Sequence, residues 1–202
     1  MSREKELFDK NIEAISNIGA IYQYMQKQVT AFDITELLRA EFVLIVSALD
    51  FYVHEVVRNG LVRKFKSGSC GTNNSINIPL STVRILLDTK TAEEQTSILD
   101  KQIGAIICRD SYQAPRAIER AFNLIDIEKI WTKIGKFIGK PGSEVRSTLT
   151  LIIDRRNKIA HEADIDPTKG IGEKTSIDAT TVSECMEFVT TFVKNLDKLI
   201  VL

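Results

Sequence analysis

With 202 residues, 44% of them hydrophobic and 27% charged, the chain can bury a full apolar core without cross-links, which excludes wholesale disorder and the small disulfide-built scaffolds. Its 27 Lys and Arg balance 27 Asp and Glu, so a general electrostatic grip on nucleic acid is not signalled. No apolar stretch is long enough to span a bilayer, the longest lying around Phe42–Leu49.

In chain order, the start MSREKELFDK is charged from its first residues and does not read as a secretory leader. Leu7, Ile12, Ile15, Ile18, Tyr22 and Met25 recur mostly every three or four residues and predict an amphipathic helix over about 4–29. A second, longer helix is predicted over 35–65. Its centre, EFVLIVSALDFYV (41–53), is apolar nearly all round, as expected of a helix buried in the core or in a subunit interface. Arg58, Arg63, Lys64 and Lys66 follow with no acid between them. The Gly, Ser and Asn of KSGSCGTNNSINIP (66–79) predict a loop, and INIPLSTV (76–83) reads as a short extended piece. Thr91 with Glu94 has the pattern of a capping box for a helix to about Arg109. Residues 114–137 read as two short helices parted near Asp126. GKPG (139–142) is a tight turn, Ser143 is the expected cap of a helix to about Ala163, and DPTKGIGEKTS (166–176) is a loop. Asp178 is the expected cap of a last helix, with Val182, Phe188, Val189, Phe192, Leu196 and Leu199 on or near one face. The reading is all-α: one helical domain over 1–202, with core helices at about 4–29, 35–65, 143–163 and 178–200 and an inserted loop-and-helix region at about 67–110.

Charge is unevenly spread. Residues 101–160 carry 12 Lys and Arg against 6 Asp and Glu, whereas residues 161–202 carry 4 against 8. Solvated helix faces and a phosphate-facing surface both fit this. Cys70, Cys108 and Cys185 have neither zinc spacing nor the pattern of a disulfide framework, and suit a reducing cytoplasm. Phosphate loops, dinucleotide fingerprints and nucleophile elbows are absent from the sequence. Two histidines, His54 and His161, exclude a His-rich metal site and leave only an all-carboxylate Mg²⁺ site open; no cofactor is expected.

The densest polar cluster is LIIDRRNKIAHEADID (151–166). Val145, Leu149, Ile152, Ile159 and Ala163 form an apolar seam, and Arg156 falls on it. A guanidinium there needs a partner or a cleft, because its desolvation is costly. Asp50, set between Leu49 and Phe51, needs a partner too, and is expected to meet Arg156 or Arg155 across the packed helices. Asn157 and His161 lie one turn apart on one face. Arg156 and His161 are five apart, roughly 140° around a regular helix. Their convergence requires the reach of the Arg side chain, a distortion at the helix end, or a second subunit. The alternative is ordinary surface chemistry: an i,i+4 ion pair from Asp154 to Lys158, and a histidine favoured by the helix C-terminus.

RRNKIAHEADID resembles the R-x4-6-H signature of HEPN domains, with Arg156, Asn157 and His161 in the matching places. Three further segments resemble the RiboL-PSP-HEPN branch in the right order: EFVLIVSALDFYVHEVV (41–57), SYQAPRAIERAFNLIDIEKIWTKIG (111–135) with the lone Trp131, and IDATTVSECMEFVTTFVKNLDKLI (177–200). The resemblance implies an all-α bundle, a homodimer in which two such motifs face each other, and metal-independent cleavage of RNA in toxin–antitoxin or anti-phage systems. An antitoxin or other regulatory partner is then expected as well. Some HEPN proteins are inactive, so a non-catalytic RNA-binding or protein-interaction module is the alternative. Histidine titrates near neutral pH and suits an acid or base. Arginine offers a permanent forked clamp for phosphate. Asn157 is assigned to orienting the histidine or holding a phosphate oxygen, Arg155 and Lys158 to substrate holding or surface charge, and Asp50 and His54 to support.

Overall fold

The computed structural model describes residues 1–28, 33–69 and 76–201. Eight helices run along these: α1 (Arg3–Gln28), α2 (Thr35–Lys66), α3 (Leu80–Asp88), α4 (Ala92–Ile107), α5 (Pro115–Asn123), α6 (Ile130–Ile138), α7 (Gly142–His161) and α8 (Ala179–Val201). Among the described residues there is no strand, only an isolated antiparallel bridge between Ile165 and Lys174. Residues 29–32, at the edge of the first predicted helix, and 70–75, which include Cys70, lie outside the description.

The apolar centre predicted around 41–53 makes α2 the hub. Phe42, Ile45, Val46, Leu49, Tyr52, Val53, Val56 and Val57 are buried on several sides of it, and α2 packs against α1, α4, α5, α7 and α8. One contiguous core draws Phe8, Ile15 and Tyr22 from α1, Leu99, Ile103 and Ile107 from α4, Ile118 and Phe122 from α5, Ile134 from α6, Leu149 from α7, and Phe192 and Leu196 from α8. The α1 stripe differs from its prediction in phase. Leu7 is exposed and Phe8 is fully buried. The helix docks through positions 8, 15 and 22, seven apart, as two long helices packed side by side do. Trp131, Phe192 and Phe188 stack in a row across α6 and α8.

Two of the three caps follow from the sequence. The Thr91 side chain accepts from the Glu94 N–H at the start of α4, and Asp178 Oδ1 accepts from the Thr181 N–H at 2.7 Å at the start of α8. Ser143 is not the cap of α7: the helix begins at Gly142 behind Pro141 with no side-chain cap. The reason is packing. A Cβ on Gly142 would collide with the Trp131 carbonyl, so the first turn of α7 is already seated on α6. Gly139, at φ +76°, makes the left-handed exit of α6 that permits this. INIPLSTV is also corrected, since α3 starts at Leu80. Pro79 precedes the helix, where its missing N–H costs nothing. Among the described residues, no helix is long and apolar enough to cross a membrane.

Candidate active site

α7 carries the polar cluster, and its apolar face dictates where each polar side chain goes. Val145, Leu149 and Ile153 are buried against the bundle, and the same face, continued to the last turn, carries Arg156. Its side chain is half-buried with Nε enclosed and without a partner. The guanidinium bends toward solvent, and Nη1 donates to Asn157 Oδ1 at 3.2 Å and to His161 Nε2 at 3.4 Å. Arg156 and His161 therefore converge within one chain, by the reach of the arginine. A guanidinium can only donate, so this contact is a hydrogen bond only when Nε2 is the acceptor. His161, the last residue of α7, is exposed, as is Lys158. The ion pair between Asp154 and Lys158 is not formed, both side chains being exposed without a mutual contact.

Asp50 is not the partner of either arginine. Its Oδ1 accepts from the Tyr112 N–H at 2.6 Å and lies 3.7 Å from His54 Nδ1. The reason is its phase on α2. Asp50, His54 and Arg58 follow one stripe that faces α4 and the chain after it; Arg58 pairs with Asp100 and holds that carboxyl below the usual carboxylate range. His54 sits among backbone carbonyls. Its Nδ1 faces the Asp50 carbonyl at 2.8 Å, its Nε2 faces the carbonyls of Ile107 and Asp110 at 3.1 Å each, and its ring packs on Tyr112. Burial, with Asp110 beside it, pushes the Tyr112 hydroxyl up to about 12.

The acid that the arginines require is Asp164. Its side chain is fully buried, and Arg155 meets it with both arms of its fork, Nη1 on Oδ1 and Nη2 on Oδ2 at 2.9 Å. Arg39, 6% exposed on α2, donates Nε to Oδ2 at 2.8 Å and Nη2 to the Thr175 carbonyl at 2.9 Å. Arg155 is thereby committed inward. Asp164 belongs to the polar cluster visible in the sequence, but Arg39 is the residue that sequence reasoning missed. Its signal was there: it precedes Phe42 and Val46 by three and seven positions, on a core-facing stripe.

The chain leaves α7 through two consecutive left-handed residues, Ala163 at φ +49° and Asp164 at φ +60°. For non-glycine residues this costs roughly 1–2 kcal/mol each. The Lys158 carbonyl accepts from the N–H of both Glu162 and Asp164, at 3.0 Å each, and the Asp164 carbonyl accepts from the Thr175 N–H at 2.8 Å. Among the described residues, no group of three or more His, Cys, Asp or Glu is placed to hold a metal.

A helical bundle with an Arg–Asn–His set on the last turns of its seventh helix is a HEPN-type architecture. The family model of RiboL-PSP-HEPN matches residues 3–202, and the chain belongs to that family. The family ties the chain to RNA-related function. Searches of curated proteins and of solved structures returned no match.

Proposed function

We propose that the protein is a metal-independent endoribonuclease, acting as one helical domain per copy, whose site is built from Arg156, His161 and Asn157. The observation that carries this reading is the 3.4 Å approach of Arg156 Nη1 to an exposed His161 Nε2. It pairs a permanent phosphate clamp with a group that can take up or release a proton at solvent.

RNA brings its own nucleophile. The 2′-OH attacks the adjacent phosphorus, an imidazole takes the hydroxyl proton, and the P–O5′ bond breaks as the 5′-oxygen receives a proton. The products are a 2′,3′-cyclic phosphate and a free 5′-OH. Nε2 becomes free to take that proton once Arg156 Nη1 turns from it to the phosphate. The guanidinium neutralises the negative charge that grows on the phosphorane oxygens, worth roughly 2.7–4 kcal/mol by analogy with one oxyanion-hole donor. Asn157 Oδ1 holds Arg156 Nη1 in place. Lys158, exposed one turn before the helix ends, is left to contact the backbone of the RNA. Acid and base are needed together, and two copies of α7 supply both. Leu44 and Phe51, seven apart on α2 and 40% and 42% exposed, support a second copy as neighbour. An RNA-cutting chain of this kind fits a toxin or anti-phage effector in the cytoplasm, held in check by an antitoxin or similar regulator.

The test is RNA cleavage in EDTA with end-group analysis. Wild type is expected to leave 2′,3′-cyclic phosphate ends, and His161→Ala to leave none while retaining its helical circular dichroism. Equal cutting by both would sink the proposal. Binding without new ends in both would favour a non-catalytic RNA-binding module.

A further inference from the structure

We propose that Asp164 is the positioning residue of this site: its buried carboxylate, gripped by Arg155 and Arg39, holds the end of α7 so that His161 stays aimed at Arg156. The inference rests on the reading of Arg156 and His161 as the RNA-cutting pair, and it carries a readout that needs no RNA.

The geometry points to positioning in addition to a tie between helices. The Arg155–Asp164 pair brackets Arg156 and His161 in sequence, and closes a covalent and ionic ring of ten residues around them. Every hydrogen-bonding group of Asp164 is used. Its N–H goes to Lys158 inside the motif, its carbonyl receives Thr175, and its two carboxylate oxygens receive three guanidinium nitrogens from two helices. Backbone held in an unfavourable region persists only where its surroundings over-determine it, and such places concentrate at functional sites. Here the left-handed pair, Ala163 and Asp164, starts two residues past His161.

The clamp also parts two adjacent arginines. Neighbouring residues on a helix point about 100° apart. Arg155 is drawn inward to a carboxylate with no exposed surface, which leaves Arg156 as the guanidinium of the two that faces the histidine. Arg39 closes the back of the clamp. It is held by Thr35 Oγ1 at 2.7 Å and by Glu36, which Lys174 pairs with in turn. The N-terminus of α2, the last turns of α7 and residues 164–176 are thus fastened at one point beneath the site. A loose end of α7 would let the imidazole swing, and misplacement of a reacting group by about 1 Å costs on the order of 10²-fold in rate.

The experiment uses the full chain, Asp164→Asn beside wild type, with Arg155→Lys as the second variant. Asn tolerates the left-handed backbone but lacks the charge. Lys keeps the charge of Arg155 but not its fork. Three measurements are made on each: thermal melting, kcat and KM on an RNA oligonucleotide, and the imidazole ¹⁵N resonances without RNA. The chain has two histidines, so His161→Ala assigns the spectrum. The expected result is a cooperative melt, KM within about threefold of wild type, kcat lower by at least about tenfold, and displaced His161 resonances with those of His54 unmoved. An unchanged kcat with unmoved His161 resonances overturns the proposal. So does a loss that appears only in KM. Should Asp164→Asn not fold, Arg155→Lys is read by the same criteria. Should wild type not cut RNA, the ribonuclease reading falls, and the His161 resonances alone decide whether Asp164 positions the imidazole.

Discussion

Arg156 and its neighbour show how much one position on a helix decides. Both are arginines on the same turn, yet one faces a buried carboxylate and the other a solvent-facing imidazole. Replacement of Arg156 by Lys keeps the charge and removes the fork. It is expected to lower kcat by about 10²-fold or more, with little change in the melting temperature, checked by cleavage and melting of one preparation. Loss of Asp164 as a plain truncation is a stability matter. Asp164→Ala leaves Arg39 and Arg155 without their buried counter-charge and is expected to cost about 3–5 kcal/mol, read by urea unfolding. Glu41 is the opposite case. It is 5% exposed, and a Cβ on Gly19 would touch its carboxylate oxygens at 2.8 Å. Burial raises its pKa above the ordinary carboxylate value. A raised carboxyl favours folding when protonated, and that contribution is lost as pH rises through the folded-state pKa. Glu41→Gln is therefore expected to raise the melting temperature at pH 7, by about 2–4 °C per kcal/mol relieved. The gain should shrink toward pH 4. A gain independent of pH would remove the carboxyl as its cause.

At the scale of elements, close approach rather than propensity sets how the short helices sit. A Cβ on Gly60 would lie 2.6 Å from Ile125 Cγ2, so α2 meets the chain just after α5 at a distance only glycine allows. Gly60→Ala is expected to destabilise the fold by about 1–3 kcal/mol, the usual cost of overpacking, measured by denaturant midpoint. The helices themselves were legible in the sequence. α1, α2, α4, α5, α6 and α8 lie within a few residues of their predicted bounds, because their apolar repeats and the Thr91 and Asp178 caps are local signals. α3 differs from the extended reading because nine residues offer too few periods, and it packs against α4.

For the whole molecule, one chain places a guanidinium and an imidazole together but holds a single histidine at the site. The proposed cleavage by a pair of histidines would therefore draw its second one from another copy. The double variant Leu44→Glu, Phe51→Glu is expected to be monomeric by light scattering and to lose RNA cleavage while keeping its helical content. A monomeric variant that still cuts would mean that one copy suffices.

Residue types and spacing alone determined that this is a helical bundle with a buried α2 and that Arg156 needed an unusual environment; the family resemblance added the signature that Arg156, Asn157 and His161 match. These are properties of contiguous segments, where periodicity is set by the backbone. Which acid answers which arginine was beyond reach, because that depends on how helices distant in sequence are rotated against one another. Asp50 faces α4 and Tyr112, Asp164 turns back under α7 through two left-handed residues, and Arg39 arrives from 125 positions away. Tertiary packing made those choices, since each buried charge had to find its counter-charge wherever the apolar faces had already placed it.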